Sequence, residues 1–208
     1  MNHSISLLLG AGLLAALPAQ AQTSPWMVRV RAVNLQPADK SDAIPGLSVP
    51  ADAIHVSSKT IPEVDFSYFF SPNFSAELIL TVPQEHDVTL GGVKLGTFKH
   101  LPPTLTAQWH FLPGKAVNPY VGAGLNLTLI SSVKLAVPEV GALDLGSSSV
   151  GLAAQAGVDI QVADRWFLNL DVKYVQIKSD VKLAATGAKV STVKVDPMLY
   201  GVGVGYRF

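Results

Sequence analysis

The sequence predicts an all-β fold: an eight-stranded antiparallel transmembrane β-barrel of the outer membrane, with short periplasmic turns and long extracellular loops. Three observations carry this reading. The segment Tyr200-Gly201-Val202-Gly203-Val204-Gly205-Tyr206-Arg207-Phe208 alternates large apolar residues with glycines and Arg207, the pattern of a strand with one greasy and one nearly bare face. Seven further segments repeat that period over about ten residues each, the length a tilted strand needs to cross the hydrocarbon. Past the N-terminal leader, no run of about 18 apolar residues is present to span as a helix. A chain that crosses a membrane without such helices has to close a barrel, in which every backbone group is paired.

Composition agrees. Of 208 residues, 49% are hydrophobic and only 14% charged, and 15 basic residues balance 15 acidic ones. A formal net charge of zero gives no electrostatic footprint for nucleic acid. The chain contains no cysteine, which excludes thiol chemistry and suits an oxidising exported compartment, where a barrel closed by its own ladder needs no disulfide. The apolar run Ile5 to Leu17, followed by Pro18 and the small-residue site Ala19-Gln20-Ala21, reads as a secretory signal peptide, residues 1–21, cleaved after Ala21. Residues 22–208 then form the barrel.

The segments follow in order. Trp26 to Asn34 turns Trp26, Val28, Val30 and Ala32 outward and Arg29 and Arg31 inward. Thr60 to Phe70 puts Val64, Phe66, Tyr68 and Phe70 out, with Glu63, Asp65 and Ser67 in. Ser71-Pro72-Asn73 reverses the chain, and Phe74 to Val82 sets Leu78 and Leu80 against Ser75, Glu77 and Thr81. His100 to Phe111 opposes Leu101, Pro103, Leu105, Ala107, Trp109 and Phe111 to His100, Thr104, Thr106, Gln108 and His110. Tyr120 to Ile130 pairs outward Val121, Leu125, Leu127 and Leu129 with inward Gly122, Gly124, Asn126 and Thr128. Ser149 to Val162 turns Gln155 and Asp159 inward; Trp166 to Ile177 does the same with Asn169, Asp171 and Lys173. The terminal segment, extended back to about Val193, completes the set.

The connections alternate in length. Residues 71–73, 112–118 and 163–165 are tight, while 35–59, 83–99, 131–148 and 178–192 are long, the outer-membrane habit of short periplasmic turns and longer external loops. Both termini are then periplasmic. Trp26, Phe70, Phe74, Trp109, Phe111, Trp166, Tyr206 and Phe208 all fall at the short-turn end, as an interfacial aromatic girdle does. Period-two parity alone also fits a soluble barrel with apolar groups inside; the clustered aromatics favour lipid.

His100-Leu101-Pro102-Pro103-Thr104-Leu105-Thr106-Ala107-Gln108-Trp109, the stretch Asn118-Pro119-Tyr120-Val121-Gly122-Ala123-Gly124-Leu125-Asn126, the pair Asp196-Pro197 and the terminal Gly205-Tyr206-Arg207-Phe208 resemble the OmpW family of outer-membrane proteins. The resemblance spans the whole mature chain. It implies an eight-stranded barrel that passes small hydrophobic molecules across the outer membrane, in a group that includes alkane-uptake proteins. The terminal aromatic likewise resembles the signal by which barrel-assembly machinery receives its clients. Expected partners are therefore outer-membrane lipid, small hydrophobic solutes and that machinery, with no nucleic acid.

The inward faces, divided by height, point the same way. Near the short turns the lumen holds Arg29, Arg31, Asp65, Glu77, Asp159, Asp171 and Arg207, with Ser67, Ser75, Gln108, His110 and Asn169. An eight-stranded barrel is only wide enough for its own side chains, and buried charges have to pair, so this layer is expected to plug the lumen. Towards the long loops the inward positions become Val33, Ile61, Ile79, Pro102, Ile130, Val175, Ile177 and Leu199, an apolar cup expected to open outward. Pro83, Pro102 and Pro103, with Pro62, lie at the outer ends of neighbouring strands and lack amide hydrogens for the ladder. They read either as a weak lateral seam between the third and fourth strands or as strand ends that guard the rim. Neither a metal site nor an enzyme is expected: His55, His86, His100 and His110 lack ligand spacing, and no serine sits in a nucleophile motif. No cofactor is implied. The competing function class is a structural or adhesive barrel whose loops bind a partner.

Overall fold

The computed structural model describes residues 24–44, 49–138 and 140–208; the expected signal peptide lies outside them. The described residues form β1 (Trp26–Gln36), β2 (Lys40–Ser41), β3 (Ile54–Val56), β4 (Lys59–Phe69), β5 (Phe74–Thr81), β6 (Gln84–Leu90), β7 (Val93–Leu101), β8 (Thr104–His110), β9 (Val117–Val137), β10 (Gly141–Leu145), β11 (Ser148–Ala163), β12 (Trp166–Val175), β13 (Lys178–Leu183), β14 (Lys189–Lys194) and β15 (Met198–Arg207). Eight of them, β1, β4, β5, β8, β9, β11, β12 and β15, pair antiparallel in that order. The circle closes where β15 meets β1, with Val30 opposite Val204 and Arg31 opposite Gly203.

Closure depends on the bare face of β15. A Cβ added at Gly203 would lie 2.1 Å from the Val30 carbonyl oxygen and 2.8 Å from Arg31 Cγ. Glycine therefore lets the first and last strands approach while two arginine side chains from β1 occupy the lumen beside them. Ser24 N donates to the Phe208 carbonyl and Phe208 N to that of Trp26, extending the closure to the chain end.

Parity holds around the wall. Along β1 the inward positions Met27, Arg29, Arg31, Val33 and Leu35 are all buried. The outward set is apolar and uncovered by protein: Leu125 is 60% exposed and Val150 67%. A surface of that kind suits hydrocarbon rather than water. At the short-turn end the aromatic side chains pack edge to edge, Trp26 on Tyr68, Tyr68 on Phe70, Trp166 on Tyr206 and Tyr206 on Phe208, with ring centroids 4.9–5.1 Å apart.

Three boundaries differ from the sequence reading. The terminal strand begins at Met198 rather than about Val193, which lies in β14 and pairs with Ser179 of β13. The segment His100 to Phe111 is not one strand: β7 ends at Leu101 and β8 begins at Thr104, because consecutive prolines supply no amide hydrogens across the break. The long connections also contain regular structure. β9 runs past Ile130 to Val137 and returns as β10, β6 pairs with β7, and β13 pairs with β14. β10 joins β13 at Leu143–Leu183, and β7 joins β9 at Leu101–Leu129. The barrel wall thus continues as hairpins beyond the apolar band, with β3 added to β6 and β2 to β14.

Candidate functional site: a layered interior and an interrupted wall

The interior has two layers of opposite character. In the lower one, Arg29 sits between Glu77 and Asp159. It is ion-paired with Glu77, and its Nη2 lies 2.6 Å from Asp159 Oδ2. Arg31 Nη1 lies 2.6 Å from Asp65 Oδ2, an ion pair without hydrogen-bond alignment, and 3.1 Å from Glu63 Oε1. Lys173 pairs with Glu63 and, at 3.0 Å, with Asp171 Oδ1. Neutral groups complete the shell of acceptors and donors. Gln155 Nε2 donates to Glu77 (3.0 Å) and Asp171 (2.9 Å), Gln108 Nε2 donates to Glu77 (2.8 Å), and Ser67 Oγ also donates to Glu77 (2.8 Å). Tyr120 OH accepts from Arg31 Nη2 and donates to Asp171. Every one of these side chains is buried.

Six of the seven charged residues expected in this layer, Arg29, Arg31, Asp65, Glu77, Asp159 and Asp171, meet in one network. Arg207 does not join them. It lies below, with its guanidinium carbon 4.2 Å from the Phe69 ring centroid, and its Nε has no hydrogen-bond partner. Its place is one turn of the pleat too close to the chain end. Glu63, Lys173, Gln155 and Tyr120 enter the network instead. Parity turns all four inward, Tyr120 sharing the face of Gly122 and Gly124, but only the long side chains of Lys173 and Tyr120 bring them within reach of Arg31 and its carboxylates. With these members five carboxylates, Glu63, Asp65, Glu77, Asp159 and Asp171, face three cations, Arg29, Arg31 and Lys173.

The upper layer is apolar. Val33, Ile61, Ile130, Val175, Ile177 and Leu199 share one buried core with Leu35, Val88, Phe98, Leu135, Val181, Val193 and Val195. The latter group comes largely from β6, β7, β13, β14 and the extension of β9. The expected open cup is therefore corrected: the hairpins fold their apolar faces over it. Two voids remain. One of about 40 Å³ lies among Ile130, Leu135, Leu143, Ile177, Val193 and His100. A second, of about 20 Å³, lies deeper, between Ile61, Ile79, Pro102 and Thr104 on one wall and Val175 and Leu199 on the other, with Lys173 at its floor.

The wall beside the smaller void is interrupted. The β5–β8 ladder runs from Phe74–Trp109 to Ile79–Thr104 and stops there. Direct pairing resumes only above, where Gln84 faces His100. Between these points Leu80 to Pro83 and Leu101 to Pro103 face each other without ladder pairs. The prolines do not float free on their other side. Leu127 N donates to the Pro103 carbonyl (3.0 Å), and Asn126 Nδ2 reaches the carbonyls of Pro102 and Pro103 (3.2 Å each) and Thr104 Oγ1 (2.8 Å). Pro62 lies one position beyond the last β4–β5 pair, Glu63–Thr81, and its carbonyl accepts from Thr81 Oγ1 (2.6 Å). Pro83 is exposed between β5 and β6. The three seam residues thus border one gap.

Among the described residues no cluster of three or more His, Asp, Glu or Cys side chains is arranged to hold a metal ion.

The model of the OmpW family matches residues 22–208. The uncharacterized outer-membrane protein y4mB of Sinorhizobium fredii is 40% identical over 193 residues, covering 90% of this chain and 82% of that protein. The dibenzothiophene metabolism operon protein PahQ of Pseudomonas aeruginosa is 28% identical over 200 residues, 93% of each chain. In three dimensions the chain is similar to the crystal structure of the outer membrane protein OprG from Pseudomonas aeruginosa, with a TM-score of 0.74 at 29% identity, covering 89% of this chain and 97% of that one. A family match that takes in the closed barrel, its ion-paired layer and its interrupted wall leaves one conclusion: this chain is an outer-membrane β-barrel protein of the OmpW family.

Proposed function

We propose that the protein is a passive conduit for small hydrophobic molecules, which enter the apolar upper interior from the hairpin end and leave sideways into the bilayer through the gap bordered by Pro83, Pro102 and Pro103. The observation that carries this reading is the coincidence of three features at one height: an apolar interior, an ion-paired layer beneath it and an unpaired stretch of wall beside it. On this reading the buried network of Arg29, Arg31, Glu63, Asp65, Glu77, Asp159, Asp171 and Lys173 plugs the lumen, and an apolar molecule gains nothing by displacing it. The gap, by contrast, has no ladder bonds to break, and its outer side is lipid. A relative encoded in a dibenzothiophene metabolism operon supports a hydrophobic cargo. On this reading the hairpin end is extracellular and both termini are periplasmic. Signal cleavage after Ala21 leaves a chain that begins where the family match begins, the terminal aromatic strand is the assembly signal, and the barrel carries out no covalent chemistry.

The tight packing of the upper layer favours a second reading, a structural or adhesive barrel whose hairpins bind a partner. Uptake separates the two. Cells that make the protein should accumulate a radiolabelled small aromatic hydrocarbon several-fold faster than cells lacking it, while the purified barrel in a planar bilayer conducts no steady ionic current. Equal uptake by both strains would leave the structural reading in place.

A further inference from the structure

The larger void has one polar feature out of keeping with its walls. His86 and His100 are 0% and 1% exposed, their rings 4.7 Å apart, where β6 and β7 pair. His86 Nδ1 lies 2.7 Å from the Ser57 carbonyl, but His86 Nε2 and both ring nitrogens of His100 have no hydrogen-bond partner. His100 forms part of the cavity wall, whose other members are apolar apart from Ser179. Ser179 Oγ already leans on the Gly146 carbonyl at 3.4 Å.

A buried imidazole with neither nitrogen satisfied is costly. A neutral ring offers one donor and one acceptor, the complement of a hydroxyl group, which can do both. Water meets that need poorly here, because a stable buried water wants two to four polar partners and the wall offers only His100 and a Ser179 already bonded to the Gly146 carbonyl. An organic hydroxyl meets it while its apolar body fills the rest. Burial also pushes the neighbouring His86 below its ordinary value of 6.5, which disfavours a cationic ring there.

We propose that the larger void is a recognition subsite for compact apolar molecules carrying a hydroxyl group, phenols being the type, with His100 hydrogen-bonding the hydroxyl and Ile130, Leu135, Leu143 and Val193 holding the hydrocarbon. This rests on the conduit reading and narrows its cargo: a hydroxylated aromatic is preferred to the bare hydrocarbon. A void of about 40 Å³ is smaller than a phenol ring, so occupancy requires the hairpins β6–β7, β9–β10 and β13–β14 to part, and the bound hydroxyl offsets part of that cost.

Phenol and toluene, nearly equal in shape, test this. The full barrel in lipid nanodiscs, with labelled histidine ring nitrogens and labelled Ile and Leu methyl groups, is titrated with each, and free concentrations are corrected against empty nanodiscs. Phenol should shift the His100 nitrogens together with the Ile130 and Leu135 methyls, saturating at a free concentration about tenfold below toluene, the scale of one net hydrogen bond. His100→Phe should abolish phenol's advantage and keep the toluene response, and His100→Gln should retain part of the advantage. Equal midpoints for the two compounds in the unaltered barrel, or an undiminished phenol preference in His100→Phe, would overturn the proposal while leaving the conduit intact. Failure of both compounds to move any cavity methyl would overturn the conduit reading and this one with it.

Discussion

Glu77→Leu should cost the barrel about 3–5 kcal/mol, the usual penalty for leaving a buried charge without its partner. Glu77 is the acceptor at the centre of the lower layer. It is fully buried, pairs with Arg29, lies 3.7 Å from Arg31 Nη1, and accepts hydrogen bonds from Ser67, Gln108 and Gln155. Its removal leaves Asp159 as the one carboxylate on the Arg29 guanidinium and takes an acceptor away from the side-chain amides of Gln108 and Gln155. Removing Arg29 as well should recover part of the loss, since a buried pair taken out whole often costs little. Urea unfolding of the refolded barrel in lipid vesicles measures both. A loss below about 1 kcal/mol for Glu77→Leu, the range of an exposed surface pair, would show that water reaches this layer.

Leu125→Arg should cost roughly 2–4 kcal/mol, the penalty for arginine near the bilayer midplane. Leu125 sits in mid-strand on β9, faces outward at 60% exposure and is flanked on the same face by Val121 and Leu129. Its neighbour Asn126 shows what parity reveals and what it misses. Read from sequence, Asn126 turns inward and invites the expectation that arginine there is far better tolerated. It does turn inward, but it is 1% exposed and holds the carbonyls of Pro102 and Pro103, so it is no tolerant control. The proper comparison is Lys115→Arg, in the exposed turn before β9, which should be neutral. Equal midpoints for Leu125→Arg and Lys115→Arg would refute the lipid-facing assignment.

The strand count, the direction each side chain faces and the division of the lumen into polar and apolar layers were legible because strand side chains alternate with a period of two, which survives in the linear order of residues. Arg29 and Glu77 could be placed inward, and at about the right height, from parity and distance to a turn. Reach across the lumen could not. Tyr120 stands at the start of its segment, yet its hydroxyl meets Arg31 and Asp171 from across the barrel, and Lys173 and Glu63 meet only because two strands remote in sequence lie within a side chain's length. The hairpins were illegible for a different reason. Residues 84–101 and 178–194 do alternate, with Val88 and Phe98 or Val181 and Val193 buried, but their outward faces carry lysines and acids rather than lipid-compatible groups, so they read as loops. That misreading made the cup appear open. The gap at Pro102 and Pro103 was visible in the residues themselves, since a missing amide hydrogen is a property of the amino acid and needs no fold to declare it.

Whether that gap is the exit decides the proposed function. In Pro102→Val/Pro103→Val both amide hydrogens return: the one at 103 faces Leu127 of β9, whose amide already bonds the Pro103 carbonyl, and the one at 102 lets β8 extend its pairing with β5 past Ile79–Thr104 to Thr81. The measurement is initial uptake of a radiolabelled small aromatic hydrocarbon by cells carrying this variant, with the amount of heat-modifiable folded barrel in the outer membrane matched to that of the unaltered protein. A lateral exit predicts that uptake falls to the level of cells without the protein; uptake equal to that of the unaltered barrel, at matched folded protein, would contradict it.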